Sequence, residues 1–258
     1  MLVVVLVALV LALAGCSRQK DDDDGPGPEE LYEQAQRALN AKNYDRAIDR
    51  YRSLTIRFPF GRHAEQALLD MAYAQHKARR PEAAISTLDR FLRTYPTHPN
   101  VDYAWYLKGL VHYDEAMGMM RRIFPEQAKD RDQQAAHESF QNFQELIRRH
   151  PESRYVADAR QRMVFLRNIM AEYEMNVAEY YARRGAHIAA MNRARYVIEN
   201  YPGAPATVKA LEKLAKSYER LDMPELAADT RRVLQHNYAD LADDDKREGL
   251  LRRLWPFD

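Results

Sequence analysis

One residue pair recurs along this chain and limits what it can become: an aromatic or histidine followed directly by proline. Phe58-Pro59, Tyr95-Pro96, His150-Pro151 and Tyr201-Pro202 each follow an amphipathic stretch, and Tyr238-Ala239 is a fifth, weaker copy that lacks the proline. The intervals between the aromatic positions are 37, 55, 51 and 37 residues, which reads as two equal outer units and two inner units with insertions. Twelve residues before each proline position stands a small residue: Ala47, Ala84, Ser139, Ala190 and Ala227. Twelve residues further upstream stand Ala35, Ala72, Ala178 and Ala215. Gly109 takes that part in the third copy, displaced by an insertion. Small residues let two helices approach closely, and a proline ends the second of them.

A helix, a close partner helix and a proline stop, repeated, is the tetratricopeptide pattern. The expected fold is all-α, a tetratricopeptide-repeat superhelix of about five helix-turn-helix units with a concave face and a core supplied by contacts between neighbours. Composition agrees, because glycine is scarce (9 residues) and stretches rich in Val, Ile and Thr with period two are missing after residue 16. Trp105 and Gly109 match the early W-x2-L-G part of the motif, with Lys108 in the leucine place. Tyr51, Leu88, Phe143 and Val197 fall on the apolar faces of the second helices. Asn43 and Pro81 fall in turns. Arg183-Arg184-Gly185 places cations and a left-handed cap at a helix end. From about Ser153 to Ala182 no breaker occurs, which predicts one or two helices.

The amino terminus sets the compartment. Met1 to Ala14 is an unbroken apolar run, shorter than the roughly 20 residues of a membrane-spanning helix. It suits the core of a secretory signal, and Leu13-Ala14-Gly15-Cys16 reads as a lipobox. No Lys or Arg precedes the run, a departure from the usual signal that an upstream start codon would explain. Cys16 is the one cysteine, so it serves as a lipid anchor and not in a disulfide. Ser17, where an aspartate would favour retention in the inner membrane, points to the outer membrane facing the periplasm. Residues 18–28, with four adjacent aspartates and Gly-Pro alternation, form a tether. The expected organisation is a signal peptide (1–15), lipidated cysteine and tether (16–28), amino-terminal repeats (29–100), a third repeat with its insertion (101–152), carboxy-terminal repeats (153–240) and a tail (241–258). The tail's apolar residues Leu250, Leu251, Leu254, Trp255 and Phe257 suit a cap on the last repeat.

Catalytic signatures are missing. The chain has no Gly-x-Ser-x-Gly elbow, no glycine-rich phosphate loop and no His-Glu-x-x-His, and its eight histidines are scattered. No enzyme activity, metal or cofactor is expected. The formal net charge of +1 gives no field that would favour nucleic acid. Binding is the better prospect, at three places. The first is Arg57-Phe58-Pro59-Phe60-Gly61-Arg62, two aromatics and two arginines between the first units, where the rings serve equally well as core between repeats. The second is the insertion Met117 to Pro125, where methionines make either core or adaptable surface. The third is Arg193, with Arg183, Arg184 and Arg195 near it in sequence, because an arginine can clamp a partner's carboxylate.

These segments, with Pro96 to Tyr103, Asp130-Arg131-Asp132 and Val177 to Ala186, resemble the BamD (ComL-type) lipoproteins of outer-membrane β-barrel assembly. The resemblance covers about residues 13–238. It implies a periplasmic scaffold, anchored in the outer membrane, that aids folding and insertion of barrel proteins. Implied partners are the periplasmic repeats of the BamA insertase, smaller Bam lipoproteins and unfolded outer membrane proteins. The amino-terminal units would receive the substrate's C-terminal strand signal, at Arg57, Phe58, Phe60 and Arg62. The carboxy-terminal units would hold the insertase, with Arg193 pairing to an acid on it. Phe58 stands where the family has tyrosine, and Ile56 replaces a polar residue, which implies apolar contact in place of hydrogen bonding. A second reading with the same fold and anchor is a repeat lipoprotein that coordinates peptidoglycan synthesis with outer-membrane constriction. A third is a hydrolase.

Overall fold

A computed structural model describes residues 25–122 and 131–238, with side chains excluded at 119–122 and 131–132. Among the described residues there are ten helices and no strand. They are α1 (Pro28–Asn40), α2 (Tyr44–Arg57), α3 (Arg62–Lys77), α4 (Pro81–Thr94), α5 (Val101–Arg122), α6 (Arg131–Arg149), α7 (Val156–Arg183), α8 (His187–Asn200), α9 (Ala206–Arg220) and α10 (Pro224–Tyr238). Successive pairs form five helix-turn-helix units, the tetratricopeptide arrangement. The signal peptide, Cys16, most of the tether, Ile123 to Pro125 of the insertion, Asp130 and the tail lie outside the described residues.

The aromatic-proline pairs act as helix stops for a local reason. A residue before proline is pushed out of the α region. Phe58, Tyr95 and Tyr201 accordingly cap α2, α4 and α8 with φ between −130° and −124°. Each still donates its N–H to the carbonyl four residues back, Leu54, Phe91 and Val197 respectively. Prolines also start helices, where the missing N–H costs nothing: Pro28, Pro81 and Pro224 each open one. Asn43 caps α2 by accepting the Arg46 N–H at 3.2 Å.

The chain divides into two compact units after His98. The first holds α1 to α4. Sequential helices pack there, and α1 also meets α3. Ala35, Ala47, Ala72 and Ala84, all fully buried, sit where the repeat frame placed small residues. Around them lie Leu31, Ile48, Tyr51, Leu54, Leu69, Leu88 and Phe91.

The second unit holds α5 to α10. Its core joins Phe143, Leu146, Leu166, Met170, Met175, Val197 and Tyr218. Ser139, Ala178, Ala190, Ala215 and Ala227 are buried as the frame requires. Ser139 also donates its hydroxyl to the Gly109 carbonyl at 2.9 Å, across the α5–α6 contact. Gly109 has a strict steric reason, because a Cβ there would lie 2.4 Å from Cε1 of Phe143. The breaker-free stretch is one helix of 28 residues, α7. Its apolar residues are spread round its circumference, as expected for a helix covered on several sides, and α6, α8 and α9 all pack on it.

Candidate binding sites

In the first unit, the segment between α2 and α3 is a short corner. Proline at 59 stops α2, and Gly61 turns the chain at φ +102°, a conformation that disfavours side chains. Phe60, at the tip, is 89% exposed. Ile56, on the last turn of α2, is 71% exposed. A core role for the Phe60 ring is thereby excluded. Phe58 is half-buried, with the Arg57 guanidinium 5.2 Å from its ring centre. Arg57 donates to the carbonyls of Pro26 at 3.3 Å and Gly25 at 3.5 Å, so it holds the end of the tether. Arg62 is exposed at the start of α3. The four sequence-predicted residues thus share one corner, with two apolar side chains presented to solvent.

Behind α1 lies a feature that the repeat pattern does not announce. Asp70 of α3 accepts hydrogen bonds from Tyr32 Oη at 2.8 Å, Gln36 Nε2 at 2.7 Å and Gln66 Nε2 at 2.9 Å, with Tyr51 Oη at 3.5 Å. Burial pushes the Asp70 carboxyl above its ordinary range, and the four hydrogen bonds oppose that shift. The same burial, with the charge of Asp70, raises the hydroxyls of Tyr32 and Tyr51 far above the tyrosine range. Beside this hub a shallow groove of about 270 Å³ is lined by Tyr32, Glu33, Gln36, Arg37 and Asn40. The only sequence signal for the hub is a carboxylate inside the apolar run Ala67 to Ala74.

In the second unit, Arg193 of α8 lines an open groove of about 370 Å³ with Tyr181, Ala189, Asn192 and Tyr196. Ala189, Asn192, Arg193 and Tyr196 share one face of α8 by their spacing. Arg193 donates from Nη1 to Oε2 of Glu174 at 3.0 Å. Glu174 comes from α7 and is only 8% exposed, while the Arg193 side chain is 45% exposed. This hydrogen bond raises the Arg193 guanidinium further above its ordinary value, so it is a permanent cation. Ile188, 61% exposed, precedes the groove, and Tyr180 is also exposed, with Arg184 4.9 Å above its ring. Arg195 does not join the groove face; it donates to Tyr218 Oη at 3.0 Å, and Arg183 is exposed at the end of α7. Met117 packs on the second unit's core, which is the structural role its residue type allowed.

Among the described residues, no group of three or more His, Cys, Asp and Glu is arranged to hold a metal ion, and no helix is long and apolar enough to cross a membrane.

Comparison with known proteins agrees with the resemblance. Residues 25–234 match the family model YfiO, described as an outer membrane lipoprotein. The chain is 46% identical over 210 residues to the outer membrane protein assembly factor BamD of Neisseria meningitidis serogroup B, covering 81% of this chain and 79% of that one. It is 38% identical over 212 residues to BamD of Xylella fastidiosa Temecula1, covering 82% and 72%. Against BamD of Vibrio cholerae it is 36% identical over 210 residues, covering 81% and 87%. Among solved structures, the P58(IPK) TPR domain matches with a TM-score of 0.41 at 17% identity, covering 81% of this chain and 50% of that one. None of these relatives supports the reading as a coordinator of peptidoglycan synthesis. The repeat frame, the exposed corner before α3 and the Arg193 groove thus lie in a chain that belongs to the BamD (YfiO) family of outer membrane assembly lipoproteins.

Proposed function

We propose that the chain is a binding scaffold of outer-membrane β-barrel assembly, without catalytic activity of its own. It works on the periplasmic side, anchored in the outer membrane by lipid on Cys16. The observation that carries this reading is the kinship with named assembly factors across most of the chain. The amino-terminal repeats, residues 29–100, receive the C-terminal strand signal of unfolded barrel proteins. Such a strand is extended, carries alternating aromatic residues and ends in a carboxylate. Phe58, Phe60 and Ile56 supply apolar contact to it, and Arg57 and Arg62 supply cations. A carboxylate is a stronger partner for Arg57 than the neutral carbonyls of Gly25 and Pro26, so a substrate can draw this guanidinium from the tether.

The third repeat and its insertion, 101–152, lead to the carboxy-terminal repeats, 153–240. These hold the periplasmic repeats of a BamA-type insertase, with Arg193 clamping an acid on it. Smaller lipoproteins of the machinery are further partners. No cofactor is needed, because holding an extended strand near the membrane requires binding alone. Co-purification of the insertase from cell envelopes with the full-length chain tests the proposal. Arg193→Glu is expected to abolish co-purification while helicity stays unchanged, and insertase recovered at the wild-type level contradicts it. The same substitution sets two carboxylates together at Glu174, so the melting temperature is read alongside.

A further inference from the structure

We infer that Glu174 is a positioning residue for the insertase-binding groove: it holds one corner of the Arg193 guanidinium so that the remaining donors stay aimed at a partner carboxylate. The inference rests on the reading of Arg193 given above and adds a residue, and a geometry, to it.

The observations are local. An arginine has five N–H donors in a rigid fork. Among the described residues, Arg193 spends one corner, Nη1, on Glu174, and it makes no other hydrogen bond or ion pair there. Its side chain is nearly half exposed and lines the groove with Tyr181 and Tyr196, and its other donors have no protein partner among the described residues. Glu174 lies at the buried end of this contact, on a helix packed on several sides, and is held firmly. An unpaired arginine on a helix surface samples many rotamers and loses that freedom when it clamps a partner. Glu174 removes much of that loss before the partner arrives.

The partner carboxylate adds to the pair and does not replace Glu174 in it. Drawing Nη1 away would leave a buried carboxylate without a cation, which is strongly unfavourable. The complex is therefore a triad, Glu174, Arg193 and the partner's acid, with the guanidinium shared between two carboxylates.

Orientation and charge make opposite demands, which decides between roles for Glu174. A mere counter-charge would weaken attraction for an acid, and its removal would tighten binding. A positioning residue does the reverse. Binding of the full mature chain to the purified periplasmic repeat fragment of a BamA-type insertase is measured for Glu174→Ala, Glu174→Gln, Arg193→Ala, Arg193→Lys and the double alanine variant. Melting temperatures are read for each. Arg193→Lys retains a cation for Glu174 but no fork, so it loses affinity while its melting temperature holds. Arg193→Ala weakens binding by about thirtyfold or more. Glu174→Ala weakens it about five- to tenfold, and Glu174→Gln, which keeps an acceptor for Nη1, restores it. In the Arg193→Ala background, Glu174→Ala costs nothing further. Unchanged or tighter binding by Glu174→Ala overturns the positioning role. So does a loss of equal size in both backgrounds, which marks a purely structural residue. If Arg193→Ala and Arg193→Lys both bind as the wild type does, the placement of the insertase at this groove falls, and the inference falls with it.

Discussion

Phe60 and Gly109 are two residues that sit at opposite extremes of exposure, and each has a measurable consequence. The Phe60 ring makes no core contact that its loss would expose, since it is almost wholly in solvent. Phe60→Ala is therefore expected to leave the melting temperature unchanged and to weaken binding of a barrel C-terminal peptide by about 1–2 kcal/mol, the range of an aromatic anchor. Equal affinity of the two proteins in fluorescence titration would remove Phe60 from the site. Gly109 is the reverse case. Alanine raises intrinsic helix propensity by about 1 kcal/mol over glycine. The Cβ would collide with the buried Phe143 ring, and overpacking of this kind costs about 1–3 kcal/mol or more. The collision prevails, so Gly109→Ala lowers the stability measured by denaturant unfolding; a more stable variant would show that α5 and α6 can separate freely. Gly109 was legible because the repeat frame demands a small residue there. The exposure of Phe60 was not, since an aromatic beside a proline serves equally as core or contact. Glu174 and Asp70 were hidden for another reason. Their roles depend on which side chains neighbouring helices bring to them, and spacing along one helix does not specify that.

The elements repeat in their turns as well as their helices. α1, α3, α7 and α9 each end with a residue of positive φ, at Lys42, Arg79, Gly185 and Asp222. The next N–H in each case reaches back five residues, from Asn43 to Ala38, Arg80 to Gln75, Ala186 to Tyr181 and Met223 to Tyr218. This is the hydrogen bond of a Schellman cap. Only Gly185 carries the residue that signals such a cap, so its left-handed turn could be anticipated, whereas Asn43 and Pro81 marked the turns at Lys42 and Arg79 without signalling their caps. Gly185→Ala is expected to cost about 1 kcal/mol, because the left-handed backbone penalises a Cβ although no neighbour obstructs it. Arg79→Gly, by relieving the same strain against a gain in chain entropy, is expected to stabilise by about 0.5 kcal/mol. Chemical denaturation of both variants checks the pair, and equal stabilities would mean that the turns are not under this strain. The length of α7 was legible to within the choice of one helix or two, since no breaker interrupts it. Between α7 and α9, Lys209 pairs with Glu172 at 3.3 Å and Lys213 pairs with Glu179. The hydrogen bond from Lys213 holds the Glu179 carboxyl below its ordinary 4.5. A depressed carboxyl stabilises the fold fully above its unfolded value, and the gain disappears as pH falls through the folded one. Acid titration below pH 4.5 is thus expected to weaken the second unit, by a small amount because the pair is solvent-screened. Glu179→Gln removes that part of the slope, and an unchanged slope would show that the pair contributes nothing.

At the scale of the molecule, two compact units carry two unlike surfaces. The first presents an apolar corner flanked by cations, and the second presents a groove with a fixed guanidinium. In the proposed reading the first surface takes a substrate strand, the second takes the insertase, and a lipid on Cys16 anchors the chain at the bilayer. The number of repeats was readable from the aromatic and small-residue frame together, with a proline stop in four of the five copies, because a small residue at each close approach is a physical requirement of the fold. The two compact units divide after His98, two residues before the expected limit of the amino-terminal repeats at 100. The most direct measurement is photo-crosslinking in intact cell envelopes, with the reactive residue at position 60 in one strain and at position 188 in another. Ile188 is chosen over Arg193 because it is exposed beside the groove and leaves the guanidinium in place. The expected result is unfolded outer membrane proteins joined at position 60 and a large barrel protein with periplasmic repeats joined at position 188. Wall synthases at either position, or the same partner at both, would contradict it.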